Sequence, residues 1–424
     1  MEYLVRECFH AVGNGTLFTG QIKEIEGSGV FNWVYDCGST SKRTICNTLN
    51  NLPNWFGSTS QPIDMLVISH FDDDHVNGLE VLLRTYNVKK LVFPFTEWAQ
   101  SIREISIGGQ KGVSPSVALL QLNPAKWLEV NGLENRIDEI LFVQGEGYSD
   151  EVTAGSAFFE FGDSVNSLIK IDKIHHNQQE NTSSGSFEFM FYNAVKPFSV
   201  LGLIYESDGQ TYAKRSKMPM PDVKAEIEKI VMSLNLHKDI NKLPANWRKT
   251  LKGCYEKHFG NSSYAKNNIS LCMYAAPSIK SCLEAVTSRK PLTLATLFTG
   301  DINLTAAVIS DMEAHFGEKC WSSLGMVQIP HHGSKNSWPQ GNAIRFNNAQ
   351  FVQCATPTKI NHPHKDVTED LDRNSKKVHH ANRKTSVCWC YRYNDISQQK
   401  QLLLDMQAGP TTSASILQMI LATK

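Results

Sequence analysis

The segment MLVISHFDDDHVNG, residues 65–78, constrains this chain more than any other. An apolar run of strand type passes directly into His70, Asp72, Asp73, Asp74 and His75, five ionisable side chains within six positions. The run reads as a buried strand, so the charges stand at its carboxyl end. Ionised groups at such an edge are costly to desolvate unless they are paired or hold a cation. In a tight loop, side chains of this spacing converge from two sides, His70 with Asp72 and Asp74 with His75, on a pair of adjacent ions, while Asp73 points away. Taken alone, the stretch also allows an acidic surface loop, or aspartates capping a helix that begins near Gly78.

The surrounding pattern says what kind of fold carries that strand. YLVRECFHAV, GTLFTGQIKEI and VFNWVYDCG are rich in β-branched and aromatic residues and broken by Gly or Asn, which predicts an opening β-meander. STSKRTICNTLNNL is helical in character, a second helix is expected from about Gly78 to Tyr86, and KKLVFPF is a further buried strand. SPSVALLQL reads as helix, EILFVQG and FEFMFYNAV as strands, and HHNQQENTSSGS, residues 175–186, as an exposed loop. Residues 209–262 differ: DGQTYAKRSKMPMPDV is linker-like and VKAEIEKIVMSLNLHKDI has helical apolar spacing, so an inserted helical element is expected there. Strand signals return in ISLCMYAA, PLTLATLFTGD, GMVQIPHHGS, AQFVQCATP and TSVCWCYRY. Strands toward both ends with helices between predict two sheets sandwiched by helices. With 424 residues and 41% apolar content, the chain can build the core this needs.

Lys plus Arg and Asp plus Glu both number 42, so no protein-wide field draws the chain to nucleic acid or membranes, and a polyanion has to be held by a local patch. The first turns carry Glu2, Arg6 and Glu7, and no apolar run reaches the roughly 18 residues of a membrane span, so neither a signal peptide nor a membrane partner is expected. The ten cysteines include no CxxC pair, and Cys388 and Cys390 alternate on one face of a strand; free thiols in a reducing cytoplasm are expected.

Three further motifs each end an apolar strand: YDCGS with Asp36, LFTGDI with Asp301, and IPHHGSKNS with His331 and His332. The ordered set DCGS, SHxDxDHxxG, TGD and PHHGSxxS resembles the metallo-β-lactamase superfamily, and most closely its ComEC-type branch, the nuclease domain associated with bacterial DNA uptake. VGNGTLF, NNISLCMY and NHPHKDV resemble that branch too, and the likeness covers most of residues 1–400 with a gap over the insert. It implies an α/β fold, the αββα sandwich, over residues 1–424 as one catalytic domain, with the helical insertion at 209–262. It also implies two divalent metal ions, Zn or Mn with Mg as an option: His70 and Asp72 at the first, Asp74, His75 and His332 at the second, Asp301 bridging both. Asp36 would orient a ligand from behind the site, and His331 would stand behind the ligands or touch substrate. Two departures stand out. Asp72 occupies a position where the common motif has His, which hardens that site toward oxygen-loving Mn²⁺ or Mg²⁺. The histidine that many relatives supply between the second and fourth motifs has no clear counterpart among His175, His176, His237 and His258.

The chemistry implied is hydrolysis by a metal-activated water. Asp74 or Asp301 is then the proton acceptor, Lys335 a point charge for phosphate, and His362 the candidate acid for the leaving oxygen, with amides and hydroxyls of Gly333, Ser334 and Ser337 as an anion nest. RNSKKVHHANRK, with Arg373, Lys376, Lys377, Arg383 and Lys384, is the candidate patch for a nucleic-acid backbone, and AKRSK at 213–217 a second. Trp338, just after HHGSKNS, is expected near the pocket mouth, where a base could stack. The expected function is phosphodiester hydrolysis with DNA as substrate, in the cytoplasm, with a regulatory protein partner as an option. Two other readings remain: a small-molecule phosphodiesterase or lactonase with the insert as lid, and a degenerate domain that only binds a partner.

Overall fold

A computed structural model describes residues 1–107, 113–148, 159, 169–182, 185–236, 243–260, 269–278, 294–356 and 362–395. The meander forms as β1 (Glu2–Phe9), β2 (Leu17–Glu24) and β3 (Val30–Cys37), antiparallel throughout. Helices α1 (Lys42–Asn50) and α2 (Leu52–Phe56) lead to β4 (Ile63–Val67), then α3 (Asp73–Val76), α4 (Leu79–Thr85), β5 (Val88–Pro94), α5 (Trp98–Ile107), α6 (Pro115–Leu122), α7 (Pro124–Val130), β6 (Ile137–Gln144) and β7 (Lys170–His175). From β3 to β7 all neighbours are parallel.

The second sheet begins with β8 (Gln179–Asn181) and β9 (Phe187–Asn193). The hairpin β10 (Ile204–Ser207) and β11 (Gln210–Ala213) follows, with α8 (Met220–Ser233) and α9 (Trp247–Phe259). Then come β12 (Leu271–Pro277), β13 (Ala295–Phe298), α10 (Ala306–Ser322), β14 (Leu324–Gln328), β15 (Gln350–Cys354), α11 (Lys365–Arg373) and β16 (Val378–Ala381). The spatial order is β16-β15-β14-β13-β12-β9-β8, while the last strand, β17 (Val387–Asn394), crosses back to pair antiparallel with β1 at the edge of the first sheet.

Alternation of side chains along the strands makes the layers. In β12, Leu271, Met273 and Ala275 face the other sheet, whereas Cys272, Tyr274 and Ala276 face the helices α10 and α11. Phe18, Trp33, Tyr35, Phe189 and Phe298 fill the space between the sheets, and rings such as Phe18 and Phe298 meet edge to face at 4.5 Å. On the outer side of the first sheet, Leu66 and Ile68 meet Ile45 of α1 and Leu79, Leu82 and Leu83 of α4. The architecture is therefore an αββα sandwich, as the sequence predicts. Helix α9 packs on α5 and α8 on α9, and Val223, Ile227, Val231, Leu251 and Tyr255 join the same outer cluster.

Three expectations need correction. Part of the expected linker pairs as the β10–β11 hairpin. His175 ends β7, His176 is buried against Tyr192 and His315, and Gln179–Asn181 form β8, so the expected loop is in part strand, while Asn177, Gln178 and Gln179 are exposed as expected. Cys8 and Cys388 form a disulfide, because the β1–β17 register places them directly opposite each other; Cys37, Cys46, Cys254, Cys272, Cys320, Cys354 and Cys390 are free. Among the described residues no helix is long and apolar enough to cross a membrane.

Candidate metal centre

The carboxyl ends of β3, β4, β13 and β14 meet at one end of the sandwich, the place where open α/β sheets bind ligands. Asp36 comes from β3, His70 to His75 from the loop and short helix after β4, Asp301 from the turn after β13, and His331 and His332 from the turn after β14. Glycines let these loops stack. A Cβ on Gly38 would lie 2.3 Å from the carbonyl carbon of Asp74, and one on Gly15, whose φ is +144°, would lie 2.4 Å from the Gly38 oxygen. The turn carrying Asp301 is held from below: Gln328 Oε1 accepts the amides of Thr299 at 3.1 Å and Gly300 at 3.3 Å, and Ser270 Oγ accepts that of Asp301 at 3.0 Å.

Four imidazoles are oriented through their Nδ1 atoms. His75 Nδ1 lies 2.7 Å from Asp36 Oδ2, and Asp36 also accepts the Ser69 amide at 2.7 Å and the Ser69 hydroxyl at 2.8 Å. With its proton committed to Asp36, Ser69 Oγ accepts from His70 Nδ1 at 2.9 Å. The carbonyl of Cys354 accepts from His332 Nδ1 at 2.7 Å. Ser337 donates to Asn303 at 2.9 Å and so accepts from His331 Nδ1 at 3.1 Å. Each ring therefore turns Nε2 toward the centre, the arrangement in which a partner behind the ring sets a ligand's direction. Nε2 of His75 is 3.2 Å from Asp301 Oδ1, Nε2 of both His70 and His331 is 3.6 Å from Asp301 Oδ2, and Nε2 of His332 is 3.2 Å from Asp74 Oδ2. Asp36, His331 and His332 hold positive φ of 56°, 47° and 54°, a conformation costing non-glycine residues about 1–2 kcal/mol each. Such strain concentrates where geometry serves function.

The electrostatics without a cation are those of a closed pair network. Burial would raise the carboxyls of Asp74 and Asp301. The His332 hydrogen bond and His75 outweigh it at Asp74, and His331, His75 and His70 outweigh it at Asp301; both stay below the usual carboxylate range. Burial would likewise lower His75 and His332, but Asp301 and Asp36 hold His75 well above its ordinary value, and Asp74 and Asp301 raise His332. His70 is lowered, by burial and then by His75. A divalent ion fits the donor set: Nε2 of His70, Nε2 of His75 and Oδ1 of Asp301 are buried without a hydrogen-bond partner, and one ligand atom from each lies within 4.8 Å of the others. Asp74, His75 and His332 form a second such group. Asp72 sits at the rim with Oδ2 3.9 Å from His70 Nε2 and makes no side-chain cap bond, while Asp73 accepts the Ser114 amide at 3.3 Å, outside the centre.

Not every expected residue is in place. Of the expected anion nest, the Ser334 and Ser337 amides close local turns, and the Ser337 hydroxyl serves Asn303 and His331. Lys335 is exposed, its amide donating to His364 Nδ1 at 3.4 Å. His362 is at the rim, its ring 5.4 Å from that of His331, with Nδ1 buried and unpartnered. Burial first, then His331, His332 and His364, pull its pKa down to about 4, which leaves it an uncharged hydrogen-bonding group at neutral pH. Trp338 is 1% exposed, its indole donating to Asp370 at 2.9 Å, so it belongs to the core and not to the pocket mouth. His175, His176 and His258 lie elsewhere, and His237 is outside the described residues. His331, expected behind the ligands or against substrate, has left-handed backbone and turns Nε2 to 3.6 Å from Asp301 Oδ2.

The basic stretch splits. Strand β16 runs parallel to β15, whose Cys354 end touches the centre, so Arg383 and Lys384 follow β16 at the centre's end of the sheet. Arg373, Lys376 and Lys377 precede it, about 10 Å of strand away toward the opposite end. Lys376 is further engaged there, holding the carbonyl of Asn347 at 2.9 Å and that of Phe346 at 2.5 Å. In the second candidate patch, Arg215 donates to the Glu256 carbonyl at 2.9 Å, near the end of α9.

No family model matches the sequence, and no curated protein matches it either. Among solved structures, the chain is similar to YhfI from Bacillus subtilis, a metallo-β-lactamase fold protein, at 8% identity and TM-score 0.36, over 91% of this chain and 100% of that one. It is also similar to human tRNase Z, short form, at 11% identity and TM-score 0.37, over 91% and 98% of the two chains. With unliganded yeast PDE1 the values are 6% and 0.34, over 89% and 96%. The αββα description stands on the chain's own sheets and clusters.

Proposed function

We propose that this chain is a metal-dependent hydrolase that cleaves phosphodiester bonds, with DNA as its substrate. The observation that carries the reading is the convergence of four back-oriented imidazoles on Asp74 and Asp301, with buried Nε2 and Oδ1 atoms left unpartnered. Divalent ions bound there supply an activated water and neutralise charge on the phosphate oxygens. His70 and Asp301, together with the inward-facing His331, would hold one ion, with Asp72 at its rim; Asp74, His75 and His332 are the donor group for the other, and Asp301, whose two oxygens face His70 and His75, would be shared between them. Asp74 is the better placed proton acceptor, since its carboxylate is the more exposed of the two. Arg383 and Lys384 at the same end, with Lys335 and the neutral His362 at the rim, would receive the anionic backbone of the substrate. The choice of DNA rests on the resemblance of the ordered motifs to the DNA-uptake nuclease branch.

The test is incubation of metal-depleted protein with linear and circular DNA, single- and double-stranded, adding Mn²⁺, Mg²⁺ or Zn²⁺ in turn, beside Asp74→Ala and Asp301→Ala. Metal-dependent cleavage lost in both variants is expected. Undiminished cleavage in either variant, or no cleavage by protein shown to carry both ions, would overturn the proposal.

A further inference from the structure

We infer that Glu226, Cys254 and His258 form a separate cation site in the helical element, suited to a borderline divalent ion of the Zn²⁺ type. Cys254 and His258 are one turn apart on the same face of α9, and Glu226 reaches them from α8. One ligand atom from each lies within 4.8 Å of the other two. The His258 side chain is fully buried, and its Nε2 has no hydrogen-bond partner although it lies 3.4 Å from Glu226 Oε2. Its Nδ1 is held at 3.0 Å by Ser216 Oγ, which also accepts the Met218 amide at 3.3 Å. Ring orientation is thus fixed from behind, as it is at the main centre.

Thiolate, imidazole and carboxylate together make a donor set of the kind zinc takes, whereas the main centre offers only nitrogen and oxygen. Cys254 is 6% exposed, and burial with the nearby Glu226 keeps its sulfur protonated at neutral pH. On binding, the S–H bond breaks, the proton leaves to solvent, and the sulfur donates to the ion. Lys257 now occupies Glu226, its ammonium 2.6 and 2.7 Å from the two carboxylate oxygens. That lysine is about half exposed on a flexible stem, so an entering ion competes with it for one oxygen. An occupied site would tie α8 to α9, the pair that packs on α5.

Cobalt(II) added to metal-depleted full-length protein gives the readout, because only a sulfur donor produces an intense thiolate-to-cobalt absorption in the near ultraviolet. Wild type should show that band, as should Asp301→Ala, in which the main centre is broken; an intact band beside inactive DNA cleavage would thus separate the two proposals. Cys254→Ser should abolish it. Glu226→Gln, at a partly exposed position that keeps the fold, should weaken cobalt binding at least about tenfold, and Lys257→Met should tighten it. No thiolate band in wild type, or a band that persists in Cys254→Ser, overturns the inference.

Discussion

Asp36→Asn isolates what the buried carboxylate does, because it changes one atom and leaves volume alone. Asp36 accepts three hydrogen bonds, from the Ser69 amide, the Ser69 hydroxyl and His75 Nδ1, at 2.7, 2.8 and 2.7 Å. An asparagine keeps one accepting oxygen. If that oxygen stays on the Ser69 amide, the new amide hydrogens face His75 Nδ1 and the Ser69 hydroxyl. His75 then has to accept at Nδ1 and carry its proton on Nε2, the atom that faces Asp301. Loss of such an orienting partner typically weakens metal binding by about 10- to 100-fold, which corresponds to about 1.4–2.8 kcal/mol. Forcing two buried donors together adds a stability loss of about 1–3 kcal/mol. Calorimetric titration of Mn²⁺ or Zn²⁺ into metal-depleted variant, with thermal unfolding alongside, measures both. A folded Asp36→Asn protein that binds ions within twofold of wild type would refute the orienting role.

Other perturbations follow from the same geometry. Glu7 lies fully buried in β1, where burial raises its pKa from 4.5 to about 8 against the lowering bonds from Trp389 and Thr296. The fold therefore holds a proton that the unfolded chain releases, and stability should fall as pH rises from about 4.5 to about 8, by on the order of 1 kcal/mol per pH unit. Glu7→Gln should flatten that slope in urea unfolding at pH 5 and pH 8; an unchanged slope would remove Glu7 as its source. Gly38→Ala should destabilise by about 1–3 kcal/mol or more and weaken metal binding, since the new carbon would press on the Asp74 and His75 backbone; a wild-type melting temperature would contradict this. In an Asp74→Ala background, Arg383→Glu should lower DNA affinity and reduce its salt slope by about one. The pair Lys376→Glu and Lys377→Glu, at the far end of β16, should leave the slope as it was, and the reverse ranking would disprove the split of the patch.

Much of this was legible in the sequence because each motif is local. A strand run ending in dense charge marks a sheet edge, and apolar segments such as FEFMFYN and LCMYAA read as buried strands, although which of their residues face which layer appears only once the sheets are packed. What stayed hidden depends on chain direction or on backbone atoms. RNSKKVHHANRK looks like one patch until β16 is known to run through it parallel to β15. The inward turn of His331 comes from a φ of 47°, and the orienter of His332 is the carbonyl of Cys354, which no residue type announces. Ser69 and Gln328 read as ordinary polar residues until their hydrogen bonds are traced. The Cys8–Cys388 pairing spans 380 residues and needs the register of two strands from opposite ends of the chain.

The covering of β1 by β17 also bears on how the molecule is made. Strand β1 keeps one edge open until residues 387–394 exist, and an open edge invites another chain to add a strand. The parallel half around His70 draws on neighbours close in sequence and can organise early, whereas Asp301, His331 and His332 arrive with the second sheet. A cation cannot be gripped from both sides before the sheets have docked, so metal uptake during biosynthesis would time the closing of the sandwich rather than its beginning.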